Sequence, residues 1–506
     1  METLNFLIDG FGIALTLENL GLALLGCFLG TIIGALPGLG PSNGVAILIP
    51  LAFQLDLGAT EALILLTSVY YGAMYGGRIS SILLNIPGDE PALMTTLDGF
   101  PMARQGKAGE ALALSGVASF VGGFFATVGL VILAPLMTEV ALLFGPAEYF
   151  ALFALAFATL GGIASRNQAK ALMAAAFGLA LSMIGIDGSS GTARFTYGEM
   201  HLMDGIDFLV AIVGLFAIAE VLLFLEHRGQ DSAIGVALGR ITVPMRTLAR
   251  TGWTMARSTV IGFVAGVLPG AGASLGSFVA YTIEKRIADK TGSFGKGDPR
   301  GVAAPEAGNN AAAGGALVPM LTLGVPGSGT TAVLLAMLMT LNITPGPLLF
   351  EQKPDVVWGL IAALFIGNVM LLVMNIPLVG LFVRLLMVPA HILMPAVAMI
   401  AFVGIYSISG SVFDLLVMIG FGVIGYGCRK LDIPTVPIIL GILLGNQMEN
   451  NLRRALTISN GDWSILVGSP IAIGLWVAAL LGFVAPLLIG RFLRPRRLVD
   501  ETAETD

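Results

Sequence analysis

Two glycine- and proline-rich breaks in apolar sequence constrain this chain more than any other feature. The first, GALPGLGPSNG at residues 34–44, separates two apolar runs that are each shorter than the roughly twenty residues an α-helix needs to cross a bilayer. The second, GVLPGAGASLG at residues 266–276, repeats the pattern in the other half of the chain. Interrupted apolar helices at corresponding positions of two halves are typical of transporters, where they surround the bound solute. The pair predicts two helical hairpins whose tips meet at a binding site.

The composition indicates that both breaks lie in a membrane. Of the 506 residues, 56% are hydrophobic and only 11% are charged, and the mean hydropathy is +0.90. These values exclude a large soluble enzyme and predict an all-α polytopic membrane protein with roughly 10 to 12 membrane segments in a lipid bilayer. The formal charge of -6 says little about partners, because charged residues in such a chain lie in a few loops. Nothing in the composition points to nucleic acid.

The charges that flank the two hairpins have opposite signs. Acidic residues border the first hairpin, residues 18–55, and no lysine or arginine precedes Arg78. Basic residues crowd both ends of the second hairpin, whose expected arms are residues 258–268 and 274–283. Because positive charge accumulates on the cytoplasmic side, the first hairpin is expected to open to the outside and the second to the cytoplasm. The chain is therefore interpreted as two inverted repeats with re-entrant hairpins and discontinuous helices: a first repeat at 1–226, a basic cytoplasmic linker and surface helix at 227–257, a second repeat at 258–497, and a disordered tail at 498–506.

A second break follows each hairpin at a similar separation. The sequence is NIPGDEP at residues 85–91 and GVPGSGTT at residues 324–331. Small residues precede each of these breaks and permit close helix approach in lipid. Two broken helices in each half are what a transporter with discontinuous helices requires.

The breaks favour a binding chemistry based on the main chain. A broken helix in a bilayer exposes amide and carbonyl groups whose burial is costly unless they line a cavity. Helix N-termini attract anions, unwound carbonyls and hydroxyl groups suit sodium, and glycine lets the backbone approach the ligand. The candidate substrate-binding residues are Pro37, Gly38, Gly40, Ser42, Asn43, Arg78, Asn85, Pro87, Gly88, Pro269, Gly270, Ala271, Gly272, Ser274, Asn309, Asn310, Pro326, Gly327, Ser328, Gly329 and Thr330. The candidate sodium ligands are Gly38, Gly40, Ser42, Asn43, Gly270, Gly272, Ser274 and Thr331. For each hydroxyl side chain the alternative is a hydrogen bond to its own helix.

Several polar residues near the breaks allow two interpretations. Arg78 either binds a substrate carboxylate with its guanidinium fork or extends to the cytoplasmic interface as a snorkelling side chain. Asp89 and Glu90 either bind a cation or cap a helix, and capping is favoured. Asn309 and Asn310 either line the site or cap the helix that they are expected to open.

Five ordered motifs resemble the large membrane subunit of bacterial tripartite tricarboxylate transporters: GTIIGALPGLGPSNG from Gly30, YGGRISSILLNIPGD from Tyr75, PGAGAS from Pro269, PEAGNNAAAGG from Pro305 and GVPGSGTTAV from Gly324. The likeness covers nearly the full chain. It implies carboxylate uptake across the bacterial inner membrane, coupled to Na+ and without another cofactor. It also implies two partners, a small membrane subunit and a periplasmic solute-binding protein that delivers the substrate.

The two lines of inference together predict a secondary active transporter that works by alternating access. A proton-coupled organic-anion permease remains an alternative. An anion channel is disfavoured because no periodic ring of polar residues is present. An intramembrane enzyme is disfavoured because the histidines and most acidic residues lie at the ends of segments, away from any catalytic pair. Which carboxylate is carried does not follow from the residues.

Overall fold

The structure is a computed structural model of the chain. It describes residues 2–36, 38–162, 167–188, 190–226, 239–270, 272–385 and 390–492, with the backbone alone at 2, 160–162, 385, 390–393 and 485–492. The predicted all-α fold is confirmed. Most of the described residues lie in α-helices. One short antiparallel ladder among them pairs Gly185–Ile186 with Ala193–Arg194.

Helices α1 to α10 belong to the first half of the chain. Their bounds are α1 Glu2–Ala14, α2 Leu17–Ala35, α3 Gly40–Gln54, α4 Ala59–Leu84, α5 Leu93–Met102, α6 Ala108–Ala141, α7 Pro146–Gly162, α8 Gln168–Ser182, α9 Phe208–Val213 and α10 Ala219–Glu226. Short π-helical turns at Ala103–Lys107 and Gly214–Ile218 join α5 to α6 and α9 to α10. The first junction is kinked at Gly106, which has φ of 78°, whereas α9 continues into α10.

Helices α11 to α22 belong to the second half. Their bounds are α11 Met245–Val267, α12 Gly272–Ala288, α13 Pro299–Gly315, α14 Leu317–Leu323, α15 Gly329–Thr340, α16 Leu349–Gln352, α17 Pro354–Asn375, α18 Val379–Leu385, α19 Ala390–Ser409, α20 Val412–Lys430, α21 Val436–Ile458 and α22 Pro470–Phe492. Single 3-10 turns lie at Met200–Leu202 and Trp463–Val467.

Several helices are suited to a membrane by length and composition. Within the described residues, five helical segments are long and apolar enough to cross one: Leu17–Ala35, Leu93–Ala141, Phe208–Glu226, Pro354–Asn375 and Val412–Lys430. Shorter apolar helices include Pro146–Thr159, Gln168–Ser182 and Gly329–Thr340. The chain is therefore a multi-pass membrane protein.

Two hairpin arms are longer than the sequence indicated. Helix α2 has 19 residues and is long enough to span a membrane, so the expectation that both arms of the first hairpin are too short is wrong for α2. Helix α11 has 23 residues and begins at Met245, inside the segment assigned to the linker. Two ion pairs hold this basic part of α11 against the protein: Arg250 with Asp298 at 3.1 Å, and Arg257 with Glu284 at 2.8 Å.

Rows of glycine join the first arm of each hairpin to the helix that follows the hairpin. A Cβ atom on Gly34 would clash with the main chain of Ala73, so α2 and α4 pack backbone to backbone. A Cβ atom on Gly266 would clash in the same way with the main chain of Ala312, between α11 and α13. The same packing therefore occurs once in each half, as a duplicated unit requires.

The two halves are interlocked. Helix α6, from the first half, packs against α13, while α17, from the second half, packs against α4. One large cluster of buried apolar side chains runs through both halves, from Cys27 to Leu444. The broken ends of the helices converge on this shared interior. The orientation of each half relative to the bilayer, and hence the inversion of the repeats, stays a prediction.

Candidate binding site at the broken helices

The tip of each hairpin contains a pair of glycines in the left-handed region. Gly38 and Gly40 have φ of 90° and 61°, and Gly270 and Gly272 have φ of 78° and 68°. A side chain at any of these positions would be strained, which explains the glycine pattern of both tips. Pro37 and Ala271, also predicted as site residues, lie outside the described residues.

The second breaks are built alike. Asn85 ends α4 with φ of 57° and Gly324 ends α14 with φ of 68°, so each helix stops at a left-handed residue. Pro87 and Pro326 follow two residues later, and the next glycine of each break packs on a hairpin arm. A Cβ atom on Gly88 would clash with the carbonyl oxygen of Gly34, and one on Gly327 would lie 2.9 Å from the carbonyl oxygen of Gly266. Each break therefore presses against the hairpin of its own half.

Each hairpin tip also touches the break of the other half. The hydroxyl groups of Ser42 and Thr330 are 3.0 Å apart. Ser274, which occupies the position of Ser42 in the second hairpin, donates to Glu90 Oε2 at 3.4 Å, and Ser277 donates to the carbonyl oxygen of Pro91 at 2.7 Å. Reciprocal contacts of this kind are those of a two-fold arrangement. The tips and the breaks predicted from the sequence are thus brought together.

The second break satisfies its own polar groups. Ser328 and Thr331 form a capping box at the start of α15, and the N–H of Gly272 donates to the carbonyl oxygen of Gly327 at 3.0 Å. The side chain of Thr331, predicted as a sodium ligand, is therefore already a cap. The hydroxyl of Ser328 is likewise engaged, while Gly329 and Thr330 face the Ser42 hydroxyl of the first hairpin.

The first break differs because Asp89 takes the position of Ser328. Its Oδ1 accepts the N–H of Ala92 at 2.9 Å within the turn before α5. The N-cap of α5 is Ala92, which has no side-chain cap, so Asp89 does not cap this helix. Asp89 Oδ2 is buried and has no hydrogen-bond partner in the described part of the chain. No hydrogen bond among the described residues joins Gly40 to Gly88, the pair that corresponds to Gly272 and Gly327. The first break thus retains an unsatisfied buried acceptor.

Further unpartnered polar atoms lie in the same interior. Tyr70 and Tyr71 on α4 are buried, and neither hydroxyl finds a partner among the described residues. Asn309 and Asn310 on α13 precede Gly315 by as many residues as the two tyrosines precede Gly76, so the pairs occupy corresponding positions in the two halves. Both polar side-chain atoms of Asn309 and Oδ1 of Asn310 lack partners. Because such burial is costly, this region is suited to water or a polar ligand.

The position of the two asparagines corrects an expectation. They do not open or cap a helix, because α13 starts at Pro299 with Asp298 as its N-cap. The asparagines lie in the interior of α13, and Asn310 Nδ2 donates to the carbonyl oxygen of Glu306 at 3.1 Å. The other interpretation, that they line the site, agrees with their burial and stays a prediction.

Arg78 is fully buried, so the snorkelling interpretation is wrong. Its Nη1 donates to the carbonyl oxygen of Leu112 at 2.5 Å and to Ser115 Oγ at 2.7 Å, and its Nη2 donates to Asn375 Oδ1 at 3.3 Å. The guanidinium is thereby tied to α6 and α17. Arg78 holds helices of both halves together, and direct contact with a substrate stays a prediction.

Two carbonyl oxygens at the hairpin tips already accept hydrogen bonds. Asn43 Nδ2 donates to Gly38 O at 3.4 Å, within the first tip. Thr159 on α7 donates to Pro269 O in the second tip. These donors stabilise the unwound main chain, and they leave one lone pair on each oxygen for another partner.

Some buried polar residues were missed by sequence reasoning. Glu306 is fully buried and accepts from Thr95 at 2.5 Å and from Ser119 at 2.9 Å. Tyr70 and Tyr71 look like ordinary aromatic residues of an apolar helix. An alignment of the two halves on Gly76 and Gly315 would have found them, because it pairs the tyrosines with two asparagines.

The fold and the site define a multi-pass membrane protein with paired broken helices, an architecture that secondary transporters use. A model of the Tripartite tricarboxylate transporter TctA family matches residues 20–440. The chain belongs to this family, and its resemblance to the large membrane subunit is confirmed. The family identifies it as a transporter subunit of a tripartite system.

Two relatives from Agrobacterium vitis are similar to the chain. A protein described as an uncharacterized 52.8 kDa protein in the TAR-I ttuC' 3' region is 39% identical over 503 residues, which are 99% of this chain and 100% of the relative. An uncharacterized protein in the TAR-II ttuC' 3' region is 40% identical over 227 residues, 45% of this chain and 94% of the relative. No solved structure matches the chain.

Proposed function

We propose that this subunit imports a di- or tricarboxylate, or a related organic acid, by sodium-coupled alternating access across the bacterial inner membrane. A periplasmic solute-binding protein delivers the substrate, and a small membrane subunit completes the complex. The observation that carries the proposal is the meeting of both hairpin tips with the opposite breaks, next to an interior that retains unpartnered polar atoms.

The substrate carboxylates bind the amide groups at the starts of the broken helices. Helix α15 begins at Gly329, beside the contact between Ser42 and Thr330, and its first N–H groups carry the positive end of the helix dipole. Recognition by helix ends needs few basic side chains in the membrane, which agrees with a charged content of only 11%. Sodium neutralises part of the negative charge of the substrate and binds oxygen atoms of the same region.

The direct test is uptake by proteoliposomes that contain this chain, the small membrane subunit and the binding protein. Labelled citrate and other di- and tricarboxylates are supplied with an inward Na+ gradient, with choline in place of Na+, or with an inward proton gradient alone. We expect uptake above equilibrium only with the Na+ gradient. Equal uptake in choline refutes sodium coupling, uptake driven by protons alone supports the proton-coupled permease, and absence of uptake of every acid refutes the substrate class.

Site variants test the hairpin tips in the same assay. Ser42→Ala and Ser274→Ala each remove a contact between a tip and the opposite break, and we expect the Na+ concentration for half-maximal uptake to rise about 3- to 10-fold. Thr340→Ala is the matched control, because Thr340 on α15 donates only to its own helix, at Ala336 O. Unchanged Na+ dependence in both serine variants removes these residues from the sodium site.

A further inference from the structure

The two breaks are chemically unequal although their backbones correspond. Asp89 and Ser328 each follow the glycine that packs on a hairpin arm. Ser328 is neutral, and its hydroxyl accepts the N–H of Thr331 at 3.2 Å. Asp89 carries a carboxylate that is 8% exposed, and only one of its oxygens has a hydrogen-bond donor in the described residues. The first break therefore has an ionisable acceptor where the second break has a neutral one.

The side chain of Asp89 lies between the tip of the first hairpin and α4. A Cβ atom on Gly40 would lie 3.7 Å from the Cβ of Asp89, so the first turn of α3 lies directly against this side chain. A Cβ atom on Gly77 would lie 2.7 Å from Asp89 Oδ1, so the absence of a side chain there makes space for the carboxylate. The hydroxyl of Tyr70 is buried and lies close to Ser328 of the second break.

No basic side chain compensates Asp89. Among the described residues, no lysine, arginine or histidine forms an ion pair with it. The charged groups within electrostatic range are Glu90 and Glu306, both acidic. The guanidinium of Arg78 is engaged with Leu112, Ser115 and Asn375 instead. A buried carboxylate with acidic neighbours and a free oxygen attracts a cation.

We propose that Asp89 Oδ2 is a ligand of a sodium ion bound between the first break and the tip of the first hairpin. The second half has no equivalent ion site, because Ser328 is uncharged and is used as a cap. The inference rests on the proposed function in one respect, since it assigns the coupling ion to one half of the site. Hard oxygen ligands of this kind suit a small cation.

The test uses Asp89→Asn in the purified full-length chain. Asparagine keeps an oxygen that accepts the Ala92 N–H. The variant therefore removes the ionisable group and retains this hydrogen bond. Binding of Na+ is followed by the thermal unfolding temperature in detergent at increasing NaCl, with choline chloride at equal ionic strength, and by binding of radioactive sodium. We expect Na+ to stabilise the unmodified protein and the variant to need at least about 30-fold more Na+ for the same effect.

Glu139→Gln is the matched control. Glu139 is an exposed acid near the end of α6, outside both breaks and both hairpin tips, so its replacement removes one negative charge and leaves the surroundings of Asp89 intact. We expect this variant to respond to Na+ as the unmodified protein does. If Asp89→Asn does not give monodisperse protein, Asp89→Ser gives the decisive result with the same expected loss, because serine is the residue that the second break carries at this position. A response equal to that of the unmodified protein in either site variant overturns the assignment.

The outcomes separate this site from the transport function. Sodium-dependent uptake together with unchanged Na+ binding by Asp89→Asn overturns the site and leaves the function standing. Stabilisation by Na+ that requires Asp89, without uptake of any carboxylate, supports the site and overturns the function. Absence of any Na+ response in the unmodified protein overturns both the ion site and sodium coupling.

Discussion

Replacement of Gly266 by alanine tests the glycine contact that joins α11 to α13. The added Cβ atom would meet main-chain atoms of Ala312, with the Cα of that residue 2.7 Å away. Carbon atoms in contact lie about 3.5–4.0 Å apart, so the two helices must separate by about 1 Å locally. Main-chain atoms of a packed helix cannot rotate away as the end of a long side chain can. Separation also weakens the packing of Gly327 against the carbonyl oxygen of Gly266.

The magnitude follows from two opposing effects. Alanine in a helix interior is more stable than glycine by about 0.5–1 kcal/mol, because it loses less backbone entropy on folding. Overpacking costs about 1–3 kcal/mol, and the upper part of that range applies where the obstacle is main chain. Gly266→Ala should therefore destabilise the protein by about 1–2 kcal/mol. Gly252→Ala should stabilise it, because Gly252 lies on the same helix with no atom within 4 Å of its Cβ position.

The assay compares the thermal unfolding temperatures of these two variants in the same detergent. We expect shifts of opposite sign, downward for Gly266→Ala and upward or absent for Gly252→Ala. Gly34→Ala and Gly21→Ala give the same comparison on α2, where Gly34 packs on Ala73 and Gly21 has open space. If Gly266→Ala is as stable as Gly252→Ala, the close backbone contact is refuted.

Two further perturbations concern buried charges. Arg78→Lys should lower the unfolding temperature by the equivalent of about 3–5 kcal/mol, because a single ammonium cannot serve Leu112, Ser115 and Asn375 together. The exposed Arg104→Lys is the control, and an equal effect of both variants would contradict this role of Arg78. Burial raises the pKa of Asp298 in the loop before α13, but hydrogen bonds from Arg300 and Ser293 outweigh it and hold the pKa at about 2. Since the folded-state pKa is depressed, the stabilisation is complete above pH 4 and is lost as the pH falls from about 4 to 2. The loss is about 1–2 kcal/mol after allowance for screening. Asp298→Asn should flatten the decline of the unfolding temperature over this range, and an unchanged decline would contradict the assignment.

The breaks in the helices could be predicted from the sequence because glycine and proline act locally. Gly38, Gly40, Gly270 and Gly272 lie where the pattern predicted breaks, and all four have a left-handed backbone that interrupts the helices. The start of α11 could not be predicted in this way. Arg250 and Arg257 lie in a basic stretch that is typical of a linker. Their ion-pair partners, Asp298 and Glu284, are distant in sequence, so the pairing cannot be predicted from the stretch itself.

The candidate site could be predicted only in part, for the same reason. The contact between Ser42 and Thr330 joins residues of different halves, and its location follows from the packing of whole helices. The sequence favours a helix cap for Asp89, because aspartate is a common capping residue. That its second oxygen lacks a hydrogen-bond donor depends on the packing around it and cannot be predicted from the sequence. The sequence predicts a helix start at Asn309 and Asn310. The helix starts further upstream because Asp298 caps it, which places both asparagines in the interior of α13.

The difference between Asp89 and Ser328 bears on why both copies of the unit are carried by one polypeptide. A dimer of identical short chains would have the same residue at both positions, with either two carboxylates or none. Covalent fusion allows the copies to diverge at a single site while the glycine contacts around it are kept. A protein of this kind can therefore treat an anion and a cation differently at two places that have nearly the same backbone.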